Sequence, residues 1–268
     1  MDLNDYFRSY IHNNLKTNSE LKSEAYNLIS EDWGIAIGAT VVIFIISFAA
    51  GLIPSIIGEI LSLLIAGPIA FGTALFFLKI SKGEKGEIED LFRAFKSKEA
   101  LLSSISAYLL TVLIFVPIVL FCGVIWVALF LGDIENLSNV LLGGVNFEDS
   151  PYSLDPNLLN EYSSPIFDSG IVTIVLSAII IIFLPIVILS LILSQVFFLL
   201  ADQKANKGFE AIKMSWNLMK GNKKKLFLLQ LSFIGWVILS VFTLFIGFLF
   251  LYPYMMTSFS KFYQNLYD

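Results

Sequence analysis

The chain has 268 residues, of which 57% are hydrophobic and 15% are charged, and its formal net charge is −5. Soluble domains carry about 25% charged residues, so this composition excludes an ordinary soluble globular protein. The apolar residues form uncharged blocks, and about 18 such residues in a row are enough for a membrane-spanning helix. The blocks cover residues 33–58, 60–78, 100–132, 170–201 and 226–260. The composition therefore predicts an all-α fold, that of a polytopic helical membrane protein.

The amino-terminal part predicts a cytoplasmic segment followed by two membrane spans. Residues 1–32 are polar and are expected to be helical, because apolar side chains recur there at helical spacing. These side chains are Leu21, Ala25, Leu28 and Ile29. The spans are predicted at 33–52 and 60–80, since about 20 helical residues cross the hydrocarbon layer. Trp33 begins the first span and is predicted to be an interfacial anchor, as tryptophan is enriched at the membrane–water boundary.

A short amphipathic helix is predicted within the basic segment 81–99. Its apolar residues recur at i, i+3, i+4 and i+7, with charged residues opposite them. They are Ile88, Leu91, Phe92 and Phe95. Such a helix is expected to lie in the plane of the lipid headgroups.

Two long spans are predicted next, at 100–131 and 170–201. Each is longer than one straight crossing requires, and each has a central proline, Pro117 or Pro185, which predicts a bend. The sequences around the two prolines are alike. An internal repeat is one explanation, and chance similarity of apolar sequence is the other.

An acidic loop is predicted between these spans, at 133–169. It holds seven Asp and Glu residues and no Lys or Arg, and Gly and Pro punctuate it, so it is expected to be irregular and extracytoplasmic. Calcium binding is an alternative to a plain solvated loop. The acidic residues lack the alternating spacing of a known calcium loop, which favours the solvated loop.

The segment 202–225 is a basic loop with a predicted amphipathic helix, whose apolar residues are Phe209, Ile212, Trp216 and Met219. Trp216 is predicted to be a second interfacial anchor. Five lysines are candidates for contact with anionic lipid, because each is worth about 1 kcal/mol near an anionic leaflet. They are Lys213, Lys220, Lys223, Lys224 and Lys225. The alternatives are a plain topology signal or a surface for a partner protein.

The last apolar block predicts two spans, 226–243 and 246–262, before a cytoplasmic tail at 264–268; one long helix is the alternative. Six spans result, with both termini in the cytoplasm. This topology places all 17 basic residues on the cytoplasmic side, which is a strong positive-inside asymmetry. A rival topology, with each proline-centred block folded as a hairpin, would make the acidic loop cytoplasmic and is therefore excluded.

No catalytic, cofactor-binding or metal-ligating set is predicted. Buried ionisable residues mark transport paths in membranes, and the apolar blocks have none. Gln195 and Gln230 are explained by hydrogen bonds between helices. His12 is the only histidine, and no phosphate-binding glycine loop is present. We therefore predict a protein that is not an enzyme and does not bind nucleic acid.

Several motifs together resemble the bacterial membrane-protein family called domain of unknown function 975. They are Gly67-Pro-Ile-Ala-Phe-Gly72, Glu89-Asp-Leu-Phe-Arg-Ala-Phe95, Leu200-Ala-Asp202, Leu218-Met-Lys-Gly221, Lys225-Leu-Phe227, Leu231-Ser-Phe-Ile-Gly-Trp236 and Tyr252-Pro-Tyr-Met-Met-Thr-Ser258. The resemblance implies a multi-pass membrane protein of the bacterial cytoplasmic membrane. It implies no activity, because the family is uncharacterised.

The sequence supports two hypotheses about function. The first is a non-enzymatic protein of the plasma membrane with an envelope-organising or lipid-associated accessory role, whose partner is the bilayer and its anionic headgroups. The second is a channel or carrier for a small or lipid-like solute, with the bends at Pro117 and Pro185 lining a cavity. A polar cavity within the membrane would favour the second hypothesis.

Overall fold

The structure is a computed structural model that describes residues 15–52, 56–143 and 176–267. Every regular element in this described part is helical, so the all-α prediction is confirmed. The α-helices are α1 (Asn18–Ser30), α2 (Trp33–Gly51), α3 (Ile56–Ser81), α4 (Lys98–Gly143), α5 (Leu184–Leu193), α6 (Val196–Ala201), α7 (Gly208–Leu218), α8 (Lys223–Leu231), α9 (Ile234–Phe242) and α10 (Phe248–Asn265). A 3₁₀ helix, Ile88–Lys96, follows α3, and a π-helical turn, Ile179–Phe183, precedes α5.

Four helical stretches of the described part are long and apolar enough to cross a membrane. They are Gly58–Ser81, Lys98–Leu129, Leu176–Ala201 and Lys223–Phe242. A fifth is present if α1 and α2 form one broken span, since the two helices meet at an angle of 98°. The predicted number of six spans remains a prediction. The sixth would need α10, whose second half carries several polar side chains.

The chain divides into two compact units. The first joins Met1–Leu113 to Ser190–Asp268, and the second is Ile114–Leu189. In the first unit, α3 packs against the 3₁₀ helix, α6 and α10, while α10 also packs against α1 and α2. In the second unit, the indole Nε1 of Trp126 donates a hydrogen bond to Ser177 Oγ at 3.1 Å. The predicted bend positions, Pro117 and Pro185, both belong to the second unit.

Helix α1 begins at a capping box. Thr17 Oγ1 accepts a hydrogen bond from the Glu20 amide, and the Glu20 carboxylate accepts one from the Thr17 amide at 2.7 Å. Hydrogen bonds from the Thr17 amide and hydroxyl hold the pKa of the Glu20 carboxyl below its ordinary value. The cap satisfies amide groups that have no partner within the helix. Further along α1, Leu21, Ala25 and Ile29 are fully buried, as the helical spacing predicts.

The 3₁₀ helix follows a different periodicity from the one that was predicted. A 3₁₀ helix has three residues per turn, so side chains at i and i+3 lie in one row. Leu91 and Ala94 form the row that is buried against α3. Phe92 and Phe95 form another row and are exposed, whereas Ile88 is in the row of Leu91 but is 40% exposed at the beginning of the helix. The prediction that Phe92 and Phe95 share one side with Ile88 and Leu91 was therefore wrong, because it assumed 3.6 residues per turn.

The close packing of α3 against its neighbours depends on two glycines. A Cβ atom on Gly72 would overlap the backbone carbonyl of Leu91 in the 3₁₀ helix. A Cβ atom on Gly67 would overlap the carbonyl of Ser104 in α4. Only glycine allows backbones to approach this closely. Both residues belong to the motif 67–72, which therefore has a packing role.

Helix α4 continues to Gly143, beyond the predicted end of its span. The loop 133–169 was predicted to be irregular throughout, and its first part is instead helical; residues 144–175 lie outside the described part. Helical structure also continues through Pro117. Pro185 is the second residue of α5, two residues after the π-helical turn ends. A wider turn at that point suits a proline, which has no amide hydrogen to donate.

The last apolar block is interrupted between α9 and α10, at the turn region where two spans were predicted to meet. Leu244 and Phe245 have φ values of 51° and 66°, in the left-handed region. Two such residues in succession end an α-helix. The Thr243 hydroxyl accepts a hydrogen bond from the Gly247 amide at 2.9 Å, which stabilises the turn. The block is therefore not one continuous helix.

Candidate membrane-surface site

Helix α7 is held against the rest of the protein by a serine on its buried side. Ser215 is fully buried. Its hydroxyl donates a hydrogen bond to the Ile192 carbonyl at 2.6 Å and accepts one from the Gln195 amide at 3.3 Å. These two groups flank the break between α5 and α6, where the helical hydrogen-bond pattern is interrupted. Ser215 therefore satisfies backbone groups of the break and holds α7 against it.

The start of α7 is also closely packed. A Cβ atom on Gly208 would overlap the backbone nitrogen of Ala107 in α4. On the inner side of α7, Ala211, Ile212 and Met219 are buried. With Ser215, these residues fix which side of α7 faces outward.

The outward side of α7 alternates aromatic residues with lysines. Phe209, Lys213 and Trp216 follow one another at i, i+4 and i+7, which is one side of an α-helix, and Lys220 lies in the turn that follows α7. All four are exposed, with 69% exposure for Phe209 and 47% for Trp216. We call these four residues the aromatic–lysine face. The predicted apolar side of this helix is therefore divided, since Ile212 and Met219 face the protein while Phe209 and Trp216 face outward.

The other predicted lysines lie where α8 begins. The ammonium of Lys223 stands over the Trp216 ring, 6.0 Å from its centroid, and so joins the aromatic–lysine face. Lys224 is exposed. Lys225 is half-buried, and its backbone carbonyl accepts a hydrogen bond from Asn18 Nδ2 at 3.2 Å. The structure thus places Lys223 beside Trp216 and Lys225 closer to α1.

Trp33, the other predicted anchor, is half-buried in an aromatic cluster. Its ring centroid is 6.4 Å from that of Tyr26 and 6.1 Å from that of Phe250. Aromatic pairs at such distances add stability beyond the area that they bury. Trp33 therefore has a packing role within the first unit, whatever its position relative to lipid.

A polar network that the sequence analysis missed ties three helices together. The Asp202 carboxylate, at the end of α6, accepts hydrogen bonds from Lys82 Nζ at 2.6 Å and from the Tyr263 hydroxyl at 3.1 Å. Lys82 follows α3, and Tyr263 belongs to α10. Asp202 belongs to the motif 200–202, for which the sequence indicated no role. Its position directly after an apolar block was the sequence feature that could have indicated a polar contact at the end of a helix.

A second part of this network joins α3 directly to α10. Ser81 Oγ and Ser260 Oγ share a hydrogen bond of 2.7 Å, and Gln264 Nε2 donates to the same Ser81 oxygen at 2.8 Å. Lys261 Nζ donates to the Ser81 carbonyl at 3.0 Å. Buried polar groups need partners of this kind. These residues therefore have a structural role at the ends of the helices.

An ion pair links the end of α3 to the 3₁₀ helix. Lys79 Nζ lies 2.7 Å from Asp90 Oδ1, and the Asp90 side chain is only 5% exposed. The second carboxylate oxygen of Asp90 accepts a hydrogen bond from the Glu87 amide at 3.0 Å. The pair holds the 3₁₀ helix against α3 from its polar side.

A cavity of about 580 Å³ lies among α2, α3, α4, α6 and α10 of the first unit. Most of its lining is aliphatic or aromatic. Its polar lining residues are Ser47, Glu59, Ser62, Thr73, Tyr108 and Ser194, with Tyr252 as a further hydroxyl. The predicted bend positions Pro117 and Pro185 are not among the lining residues. The volume is that of a site for a small molecule.

The predicted intramembrane glutamines have different environments. Gln195 is buried, and its Nε2 donates to Ser194 Oγ at 2.8 Å. Its Oε1 has no hydrogen-bond partner. Gln230, in α8, is half-buried. Among the described residues, no three of the types His, Cys, Asp and Glu are grouped so that they could hold a metal ion.

The described part thus defines an all-helical protein with several helices able to cross a membrane and a basic surface at the ends of these helices. The chain belongs to the family of proteins of unknown function called DUF975, whose family model matches residues 15–268. This match confirms the family that the motifs indicated. Searches of curated proteins and of solved structures gave no match.

Proposed function

We propose that the protein is a multi-pass protein of the bacterial cytoplasmic membrane that associates with anionic lipid and has a non-enzymatic accessory role in the envelope. The observation that carries the proposal is the aromatic–lysine face of α7. Aromatic rings at the headgroup level and lysines with flexible stems form the usual contact of a protein with the membrane–water boundary. Lys213, Lys220 and Lys223 supply positive charge on this face.

The distribution of charge along the chain supports the proposed orientation. Fifteen of the 17 basic residues fall in segments that the six-span topology assigns to the cytoplasm, Lys79 and Lys261 lie at the cytoplasmic ends of predicted spans, and the acidic segment 133–169 lies opposite. Cytoplasmic leaflets are anionic, so lysines there gain about 1 kcal/mol each. Both termini are proposed to be cytoplasmic for the same reason.

The proposal predicts selective contact between Trp216 and anionic lipid in a bilayer. The full-length protein would be reconstituted into bilayers of phosphatidylglycerol and phosphatidylcholine, with only one of the two lipids brominated to quench tryptophan. The Trp216 signal is the difference between the wild type and Trp216→Phe. We expect stronger quenching of Trp216 by the brominated anionic lipid, and we expect Lys213→Gln/Lys220→Gln to remove most of this preference.

The matched control is Lys85→Gln/Lys98→Gln, which removes the same charge from exposed positions outside α7. This variant should keep the preference of the wild type. Equal quenching of Trp216 by both lipids in the wild type would contradict the proposal. So would an equal loss of preference in the control, because the effect would then depend on net charge alone.

A carrier of a lipid-like solute is the second candidate function, and the cavity of about 580 Å³ favours it. The mostly apolar lining suits a hydrocarbon chain better than a hydrophilic solute. Hydroxyl groups and the Glu59 carboxylate could contact a polar group of the same molecule. The lining is therefore more compatible with a lipid-like molecule than with a small ion.

A further inference from the structure

A second basic site lies beside the 3₁₀ helix, away from the aromatic–lysine face. It is a cleft of about 530 Å³ between the 3₁₀ helix, the end of α3 and the beginning of α4. Its polar lining residues are Lys79, Asp90, Arg93, Lys96, Ser97 and Gln203. The sequence pattern predicted Asp90, Arg93 and Lys96 on the charged side of an amphipathic helix and indicated no site for them or for the other three residues.

The 3₁₀ periodicity explains why three of them converge. Asp90, Arg93 and Lys96 are spaced three residues apart, so they form one row along a helix with three residues per turn. This row lines the cleft. The row that contains Leu91 is buried against α3. The cleft is therefore held in place by apolar packing on one side of the helix and lined with charge on another.

The cleft has an excess of positive charge. Asp90 neutralises Lys79 through their ion pair of 2.7 Å. Arg93 and Lys96 are exposed, and neither has a carboxylate within salt-bridge distance in the described part of the chain. These two side chains are therefore available to an anion. Arginine is well suited to phosphate, because its planar guanidinium can donate two parallel hydrogen bonds.

The beginning of α4 adds to the positive electrostatic potential of the cleft. Ser97 and Ala100 line the cleft, and α4 begins at Lys98. The amino-terminal end of a helix carries a partial positive charge, and the Ser97 hydroxyl already accepts a hydrogen bond from the Ala100 amide at 3.4 Å. It therefore favours an anion in the same place as Arg93 and Lys96.

Apolar side chains flank the cleft on the remaining row of the 3₁₀ helix. Phe92 is 37% exposed and Phe95 is 46% exposed. Phe92 directly precedes Arg93 in the sequence, and Phe95 directly precedes Lys96. Free inorganic phosphate would make no favourable contact with these apolar rings. The phosphate of a lipid brings acyl chains with it, and exposed phenylalanines at the membrane boundary can contact them.

We infer that this cleft binds the phosphate group of an anionic phospholipid, with Arg93 and Lys96 as its ligands and with Phe92 and Phe95 against an acyl chain. The inference rests on the membrane-surface placement of the proposed function but uses different residues from the aromatic–lysine face. It assigns one defined lipid site, in contrast to the general preference for anionic lipid that is proposed for α7.

Lipid retention by the purified protein tests this site. The full-length protein in a non-ionic detergent would be titrated with phosphatidylglycerol and, separately, with phosphatidylcholine, and bound lipid would be counted by native mass spectrometry. We expect one retained phosphatidylglycerol and a clear preference over phosphatidylcholine. Arg93→Gln/Lys96→Gln should lower the affinity for phosphatidylglycerol by about thirtyfold, as expected for the loss of two cations at an anionic headgroup.

Three further variants separate this site from its alternatives. Arg93→Lys/Lys96→Arg keeps the charge and should retain the lipid, which shows that the double glutamine variant fails through charge and not through misfolding. Lys85→Gln and Lys213→Gln/Lys220→Gln should retain it as well. The last of these is expected to lose the bilayer preference of Trp216, so the two proposals can fail independently.

Two results would overturn the inference. One is unchanged retention of phosphatidylglycerol by Arg93→Gln/Lys96→Gln. The other is complete displacement of the lipid by inorganic phosphate at millimolar concentration, which would identify a site for free phosphate that does not use the acyl chains. Persistence of the lipid in the presence of inorganic phosphate is the expected result.

Discussion

Replacing Gly72 with alanine is expected to destabilise the first unit by about 3 kcal/mol, a large effect for one methyl group. The added Cβ atom would overlap the backbone carbonyl of Leu91, which cannot move aside as a flexible side chain can. The 3₁₀ helix would have to separate from α3, and Leu91 and Ala94 would lose their buried contacts. In a non-ionic detergent, the apparent melting temperature should fall by about 10 °C.

Two other glycines provide the control for this prediction. A Cβ atom on Gly34 or on Gly123 would meet no atom within 4 Å. Alanine favours a helix over glycine by about 1 kcal/mol, so Gly34→Ala and Gly123→Ala should be neutral or stabilising. If Gly72→Ala melts like these two variants, then α3 and the 3₁₀ helix do not approach as closely as described here.

Removing Lys79 is expected to cost more stability than removing its partner, Asp90. The Asp90 side chain is 5% exposed and that of Lys79 is 30% exposed. Lys79→Met therefore leaves a buried carboxylate without its counter-ion, which costs about 3 kcal/mol or more. Asp90→Leu leaves a lysine that can still reach water, so its cost should be smaller.

The double variant Lys79→Met/Asp90→Leu tests whether the loss comes from the unpaired charge. An apolar pair of similar volume is often as stable as a buried ion pair, so the double variant should recover much of the stability that Lys79→Met loses. Thermal unfolding of the wild type and the three variants forms a double-mutant cycle. Additive losses in this cycle would show that the two side chains do not interact.

Much of the fold could be predicted from the sequence, because apolar blocks and lysine-rich segments are strong signals for helices that cross a membrane. The break between α9 and α10 was also placed correctly, since the last block is too long for one crossing. The last span was harder to predict than the others for a physical reason. Helix α10 combines an apolar first half with polar residues that bind α3, such as Ser260 and Gln264.

The orientation of apolar side chains could not be predicted in the same way. Lipid is as apolar as a protein interior, so hydrophobicity does not separate residues that face lipid from residues that face the protein. Ile212 is therefore buried while Trp216, on the same predicted apolar side, is exposed. In the 3₁₀ helix the error came from the helix type, since an α-helical period joined Phe92 to Leu91.

The candidate sites were predicted only in part. Lysines near α7 were identified from local sequence, and the structure places one of them, Lys223, beside Trp216. The cleft could not be found in this way, because Lys79 belongs to α3 and Gln203 follows α6, far from the 3₁₀ helix in sequence. Asp202 was missed for the same reason, since its partners Lys82 and Tyr263 are distant along the chain.

The proposed topology places the basic residues at the cytoplasmic face of the membrane and the segment 133–169 at the opposite face. Labelling of single cysteines with a membrane-impermeant maleimide tests it most directly, with Cys122→Ser as the background. In intact bacterial cells, Asp149→Cys should be labelled, and Lys224→Cys should be labelled only after the membrane is permeabilised. Labelling of Lys224→Cys in intact cells, with Asp149→Cys protected, would contradict the account.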